Sequence, residues 1–417
     1  MRLSRESNRE SNGTIPMHTA LGIFLLACFI MFKYLLKSID VIALIGIELI
    51  LLMSEKLRMR FEKSDYCWIV YALIQLFFGL IRDDIGLTIK KVILLFVLIL
   101  LKILLQTEHK RWSEYFINLL IVLGLIHAVS IVVEVINPSL VRTVSKILNV
   151  KQFEHRAAYL NGITSQPAIV GFCISLFTCL CANYWLKSKG IKVKYFLLSL
   201  LGVSTLLLTG KRALFVEVLF CCFIVTYLYY AVIMKKDFQM FTIVLVVLLL
   251  VPFVTRSSVF SRNIDRLLYG DDAGRYSIWK VLVNNFKSSP LIGVGRNAYY
   301  NQMDIGAHND YLRVLSENGL LGFSFFFMAL IIPLAKMIWT VIYNQSAIKE
   351  MASTKEKYIV FELLTSICWQ LLILLYALTG NPFTSTEQFA SYMVFTAMGL
   401  SAKKKLELAM KETKDNE

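Results

Sequence analysis

Apolar and polar positions in this chain alternate on the scale of whole helices rather than single turns. Long apolar runs recur from one end to the other, divided by short clusters of charge. A helix needs about 20 apolar residues to cross the hydrocarbon core of a bilayer. On that measure the pattern predicts about twelve spans, at roughly 18–36, 39–53, 66–81, 87–105, 115–136, 167–186, 194–209, 213–234, 238–255, 319–342, 358–379 and 386–401. In lipid the backbone must satisfy its own hydrogen bonds, which leaves helices or closed barrels. These runs are too long, and too continuously apolar, for the alternating strands of a barrel. The expected fold is therefore all-α, a polytopic integral membrane protein. Its parts are a tail (1–17), nine spans (18–255), one long folded extracytoplasmic loop (256–318), three more spans (319–401) and a second tail (402–417).

Composition agrees: 57% of the 417 residues are hydrophobic and only 18% are charged. Leu25 to Cys28 superficially resembles a lipoprotein cleavage box, but the apolar run continues past it, so the first span reads as retained. All eight cysteines fall inside apolar runs and form no C-x-x-C pair, which argues against disulfides and zinc. The net charge of +15 would suggest nucleic acid in a soluble protein. Here no basic segment is interleaved with aromatics as a strand-binding groove requires, and cytoplasmic loops collect Lys and Arg anyway. With both termini cytoplasmic, the inner segments hold 23 basic residues, 17 of them Lys. The outer segments hold 16, of which 10 are Arg. Topology needs only positive charge. Arg adds a planar fork that binds phosphate bidentately, so an Arg-rich outer face suggests a phosphorylated ligand. Ordinary loop salt bridges are the alternative.

Unstructured loops as long as 256–318 are uncommon and usually functional or disordered. In this one Ile278, Val281, Leu282 and Phe286 share a helical face, Arg275 and Trp279 stand at i and i+4, and Ser288-Ser289-Pro290 ends the helix. Asp271-Asp272 could hold a metal ion, but capping of the helix start explains the pair without one. Gly293-Val294-Gly295 lacks the third glycine of a dinucleotide fingerprint and reads as a tight turn. A short helix follows over His308 to Asn318, in which Arg313 and Glu317 can pair, and Gly319 turns the chain into the next span. Of the five histidines only His155 and His308 reach the outer side. Imidazole suits general acid–base work near neutral pH. On composition alone, a surface histidine at a helix start explains His308 as well.

Three segments, Gly274 to Lys280 (G-R-Y-S-I-W-K), Pro290 to Gly295 (P-L-I-G-V-G) and His308 to Phe323 (H-N-D-Y-L-R-V-L-S-E-N-G-L-L-G-F), resemble in content and order the bacterial O-antigen ligase and O-antigen polymerase family. Thr209 to Ala213 and Arg156 to Pro167 are similar to two further segments of that family, with Gln166 where Asn is common. The resemblance implies an enzyme of the cytoplasmic (inner) membrane acting at its outer face, with no metal and no cofactor. Its substrates would be an undecaprenyl-diphosphate-linked oligosaccharide donor and acceptor, its solvent the lipid bilayer, and its partners a chain-length regulator and a flippase. His308, Arg275 and Arg212 would be catalytic, the histidine as base and the arginines on the diphosphate leaving group. Arg156, Arg296, Arg313, Glu317 and Trp279 would bind substrate. The expected activity is polymerisation of repeat units into capsule, O-antigen or exopolysaccharide, with inversion at the anomeric carbon. Ligation of a finished glycan to another acceptor is one alternative. A transporter or flippase using the mid-membrane Glu48, His127, Glu134, Glu217 and Glu362 is the other.

Overall fold

The computed structural model describes residues 15–36, 39–53, 61–81, 85–107, 112–150, 159–164, 166–187, 192–236, 275–295, 306–354 and 357–415. The expected ninth span (238–255), the first part of the long loop, His155, Arg156, the Asp271-Asp272 pair and Arg296 lie outside them.

Among the described residues the chain is all helix. The elements are α1 (Met17–Phe32), α2 (Asp40–Leu52), α3 (Lys63–Ile81), α4 (Ile85–Thr107), α5 (Trp112–Ile136), α6 (Pro138–Ile147) and α7 (Pro167–Lys187). They continue as α8 (Lys192–Leu208), α9 (Arg212–Tyr227, prolonged by a π-helical turn at Leu228–Ile233), α10 (Arg275–Ser288), α11 (Asp310–Tyr343), α12 (Gln345–Ser353), α13 (Lys357–Tyr376) and α14 (Thr386–Asp415). Every expected span that falls on described residues is a helix. Seven helical stretches are long and apolar enough to cross a membrane, among the described residues: 17–35, α3, α5, α7, 212–233, α11 and α13. The other expected spans on described residues are helices that fall outside this measure by length, charge or apolarity. Helix α2 has only 13 residues, and α14 carries a run of lysines into the tail. Helix α6 was not foreseen. Asn137 starts it by accepting from the Leu140 N–H at 3.2 Å, with Pro138 in the first turn.

Helices α7 and α13 run through the middle of the bundle, packed on each other, with α9 against both. Helix α11 packs on α3, and α14 on α4 and α13. Large apolar side chains such as Phe24, Leu49, Phe77, Val122, Phe220 and Trp339 point outward, as they must where lipid is the solvent. Several polar groups inside the bundle are paired. Lys102 and Asp65, both closed off from solvent, meet at 2.5 Å. Glu362 accepts from Ser113 and faces Lys405 at 3.4 Å. Glu134 accepts the N–H groups of Asn161 and Gly162 at 3.0 and 2.7 Å, and so ties the 159–164 loop to α5.

The feature that positions the site is a break in α11. Gly319 has φ 61° and ψ −167°, a region essentially reserved for glycine. The short helix from Asp310 and the following span are thus one element joined through this residue. The P-L-I-G-V-G segment crosses the break as a strap. Val294 and Gly295 donate to the carbonyls of Ser316 and Glu317 at 2.9 and 3.0 Å. In return Leu320 and Leu321 donate to Pro290 and Leu291 at 2.8 and 3.1 Å. A β-carbon on Gly319 would lie 2.4 Å from the Leu291 carbonyl, and one on Gly293 would lie 2.5 Å from the Asn318 nitrogen. The two backbones can cross this closely only because both residues are glycine.

Gly319→Ala is expected to lower the stability of the solubilised protein by more than about 1 kcal/mol, since it adds left-handed strain to a backbone clash. Gly46→Ala, where an added β-carbon meets nothing within 4 Å, serves as the control and should be neutral or stabilising. Thermal unfolding of both variants in detergent measures the difference.

Candidate functional site

The start of α11 is held from three directions. Asn309 caps the helix, accepting from the Leu312 N–H at 3.0 Å. Asp310 donates its N–H to the Ala377 carbonyl at 2.8 Å and accepts from the Phe383 N–H at 2.7 Å, which fastens it to the loop between α13 and α14. Helix α10 packs its buried Ile278 and Leu282 on Ala307, and Trp279 donates its indole N–H to the Ala307 carbonyl at 3.3 Å. His308 therefore sits between two immobilised neighbours. Its own φ is 51°, a left-handed conformation uncommon outside glycine.

Around this histidine the structure gathers charge from separate elements. Arg275, the first residue of α10, is within electrostatic reach of His308, Lys211, Glu217 and Tyr376. Lys211 precedes α9 and lies over Gly171 of α7. Arg212 follows it, half-buried at the first position of α9. Glu217, one and a half turns deeper, accepts from the Thr379 hydroxyl at 3.1 Å. Burial, then the charges of Arg275 and Lys211, hold the His308 imidazole below its ordinary pKa. Burial, then Arg275, likewise lower the Lys211 ammonium. At neutral pH His308 is consequently in the neutral form, free to accept a proton. Two cations, Arg275 and Lys211, and one carboxylate, Glu217, give the surroundings of His308 a net positive charge suited to an anionic group, with Arg212 next to Lys211 in the chain.

The expected site residues divide by position. His308 and Arg275 come together, with Arg212 at the head of α9 next to Lys211. Arg313 and Glu317 instead meet each other inside the α3–α4–α11 packing. The Arg313 guanidinium donates to Asp310 at 2.8 Å and to Glu317 at 2.9 Å, while Lys91 of α4 reaches Glu317 at 3.2 Å. Both are almost closed off, at 4% and 3% exposure, and the network stiffens the turn that carries His308. Trp279 is half-buried and contributes through Ala307. Arg156 and Arg296 fall outside the described residues.

Three contributors were missed by the sequence reading. Lys211 was overlooked beside the arginine that follows it. Glu217 looked like an isolated carboxylate within a span, and its position five residues after Arg212 was the available signal. The 377–385 loop links Glu217, through Thr379, with Asp310, through Ala377 and Phe383. Its Asn381-Pro382 between two spans was the only hint. Elsewhere, deep in the bundle, the thiols of Cys179, Cys222 and Cys368 approach within 4.8 Å of one another from α7, α9 and α13. That grouping has no local sequence pattern to announce it.

The family model for O-antigen ligase matches residues 196–327, from the first turn of α8 to the middle of α11. This stretch contains Lys211, Arg212, Glu217, Arg275 and His308. No curated protein matches the chain.

If Arg275 and His308 share one electrostatic pocket, Arg275→Gln should raise the His308 pKa, because a neighbouring cation that disfavours the imidazolium is removed. Lys211→Met should act in the same direction. With five histidines in the chain, selectively labelled imidazole resonances followed through pH 5–8 test this. An unchanged His308 midpoint in both variants would separate the groups.

Proposed function

We propose, for this member of the O-antigen ligase and O-antigen polymerase family, the joining of undecaprenyl-diphosphate-linked oligosaccharide repeats into a surface polysaccharide. The observation that carries the proposal is the convergence of His308 with Arg275 and Lys211, with Arg212 beside Lys211 at the head of α9. The acceptor sugar hydroxyl gives its proton to the His308 imidazole as its oxygen attacks the anomeric carbon. The bond from that carbon to the diphosphate oxygen breaks, and the lipid diphosphate leaves with both electrons. Attack opposite the leaving group inverts the anomeric configuration. A diphosphate leaves without an acid, so the paired carboxylates of glycosidases are not required. The cations stabilise the charge that develops on it. The catalytic end of the bundle faces the outer side of the cytoplasmic membrane, and both termini face the cytoplasm. Arg156 and Arg296, from the two long outer loops, add phosphate contacts. A flippase would supply the donor, and a chain-length regulator would set where growth stops.

Transport is less well supported, because three of the four carboxylates that suggested it have local partners. Glu134 holds a loop, Glu362 meets Ser113 and Lys405, and Glu217 belongs to the His308 pocket.

Purified protein incubated with a lipid-diphosphate oligosaccharide, with and without chelator, tests the proposal. Oligomers growing by whole repeats are expected in both conditions. His308→Ala should reduce the rate by about 10²–10⁴, and Arg275→Lys should reduce it while keeping the charge, because the fork is lost. Transfer of an intact glycan only to a non-repeat acceptor would identify a ligase instead. Undiminished activity in His308→Ala would remove the proposed base.

A further inference from the structure

A second polar site lies at the start of α14. A cavity of about 200 Å³ opens between the end of α1, the start of α7 and the start of α14. Its polar lining is Lys33, Tyr34 and Glu387, and Phe172 and Ile169 form an apolar wall. Lys33 stands between two carboxylates, 3.7 Å from Asp40 and 3.6 Å from Glu387. Asp40 is already engaged by the Thr386 hydroxyl at 2.6 Å. Glu387 is 6% exposed, and its Oε2 meets Lys33 at ion-pair distance without a hydrogen bond among the described residues. The Tyr34 hydroxyl is also shut off from solvent and without a partner among them. Buried polar atoms are normally satisfied, so an orphaned phenol beside a carboxylate oxygen held only by an ion pair, both lining one cavity, points to a ligand that supplies hydrogen bonds.

The chemistry of the lining restricts that ligand. One ammonium between two carboxylates leaves a net negative charge, which repels phosphate. A carboxylate oxygen without a hydrogen bond and an unpartnered phenol seek hydroxyl donors and acceptors. The wall of Phe172 and Ile169 suits an apolar ring face. At 200 Å³ the cavity is smaller than the ~300–1,000 Å³ of pockets for drug-sized ligands, so it takes one small ring and not an oligomer. We infer that this cavity is a subsite for a single uncharged sugar residue of the acceptor glycan, held by Glu387 and Tyr34. It rests on the glycan-joining reading above, and it divides the labour by charge. The cationic pocket around Arg275 takes the diphosphate of the donor, and the acidic cavity takes a neutral sugar. The 377–385 loop connects the two, binding Glu217 and Asp310 through its own residues and ending at Thr386 and Glu387.

Saturation-transfer NMR of the purified protein in nanodiscs, with D-glucose, D-galactose, D-mannose and N-acetyl-D-glucosamine as separate probes, tests the inference. At least one probe should bind saturably to the wild-type protein. Binding should weaken at least tenfold in Glu387→Gln and in Tyr34→Phe, and persist in His308→Ala. Tyr34→Phe removes a single hydroxyl, so it keeps the test valid where Glu387→Gln lowers the unfolding temperature. Absence of binding by every probe, or equal binding in wild type and Tyr34→Phe, overturns the subsite. Since binding is read without catalysis, sugar bound here while His308→Ala remained fully active would refute the base and leave the cavity assignment standing.

Discussion

The constraint on which the site depends is that a helix broken at the membrane boundary cannot leave its backbone groups unpaired. Gly319 breaks α11, and the carbonyls of Ser316 and Glu317 need new donors. Val294 and Gly295 provide them, and the same crossing pairs the N–H groups of Leu320 and Leu321. The strap that closes the break also fixes the end of α10. Helix α10 in turn carries Arg275 at its start and supports Ala307 through Ile278, Leu282 and Trp279. One backbone exchange therefore sets the relation between the arginine and the histidine, although neither takes part in it.

A second layer of restraint acts on the histidine from below. Asp310, Arg313, Glu317 and Lys91 form a chain of charged contacts that is largely removed from solvent. Such a network contributes little net stability over a well-packed apolar alternative, but removing one member leaves a buried charge exposed to no partner. Its effect here is directional. It joins the first turns of α11 to α4 and the 377–385 loop, so His308 is presented at a fixed angle.

The pocket that results is electrostatically asymmetric. Burial, then Arg275 and Lys211, depress the proton affinity of His308, while the carboxylate of Glu217 stands within reach of Arg275. In the proposed reaction, the charges that lower the proton affinity of the imidazole would also attract a phosphate, so one arrangement would serve both anion binding and proton transfer. Binding of an anion would partly cancel that field and raise the basicity of His308 at the moment a proton has to be taken.

The residue pattern alone determined that the chain is helical and membrane-embedded, because continuous apolar runs admit no other way to satisfy a backbone in lipid. It also determined the α10 face at Ile278 and Leu282, the Arg313–Glu317 pair and the turn at Gly319, all of which depend on spacing within a few residues. It singled out His308 and Arg275 only through the resemblance to a family, since local spacing leaves a surface histidine equally acceptable. Tertiary structure decided what local spacing cannot reach. It turned Arg313 and Glu317 toward α4, recruited Lys211 and Glu217 from α9 and Thr379 from the α13–α14 loop, and set two glycines of distant motifs against each other. The physical reason is that burial and electrostatic fields are sums over neighbours in space. In a bundle of crossing helices, those neighbours come from elements far apart in the chain.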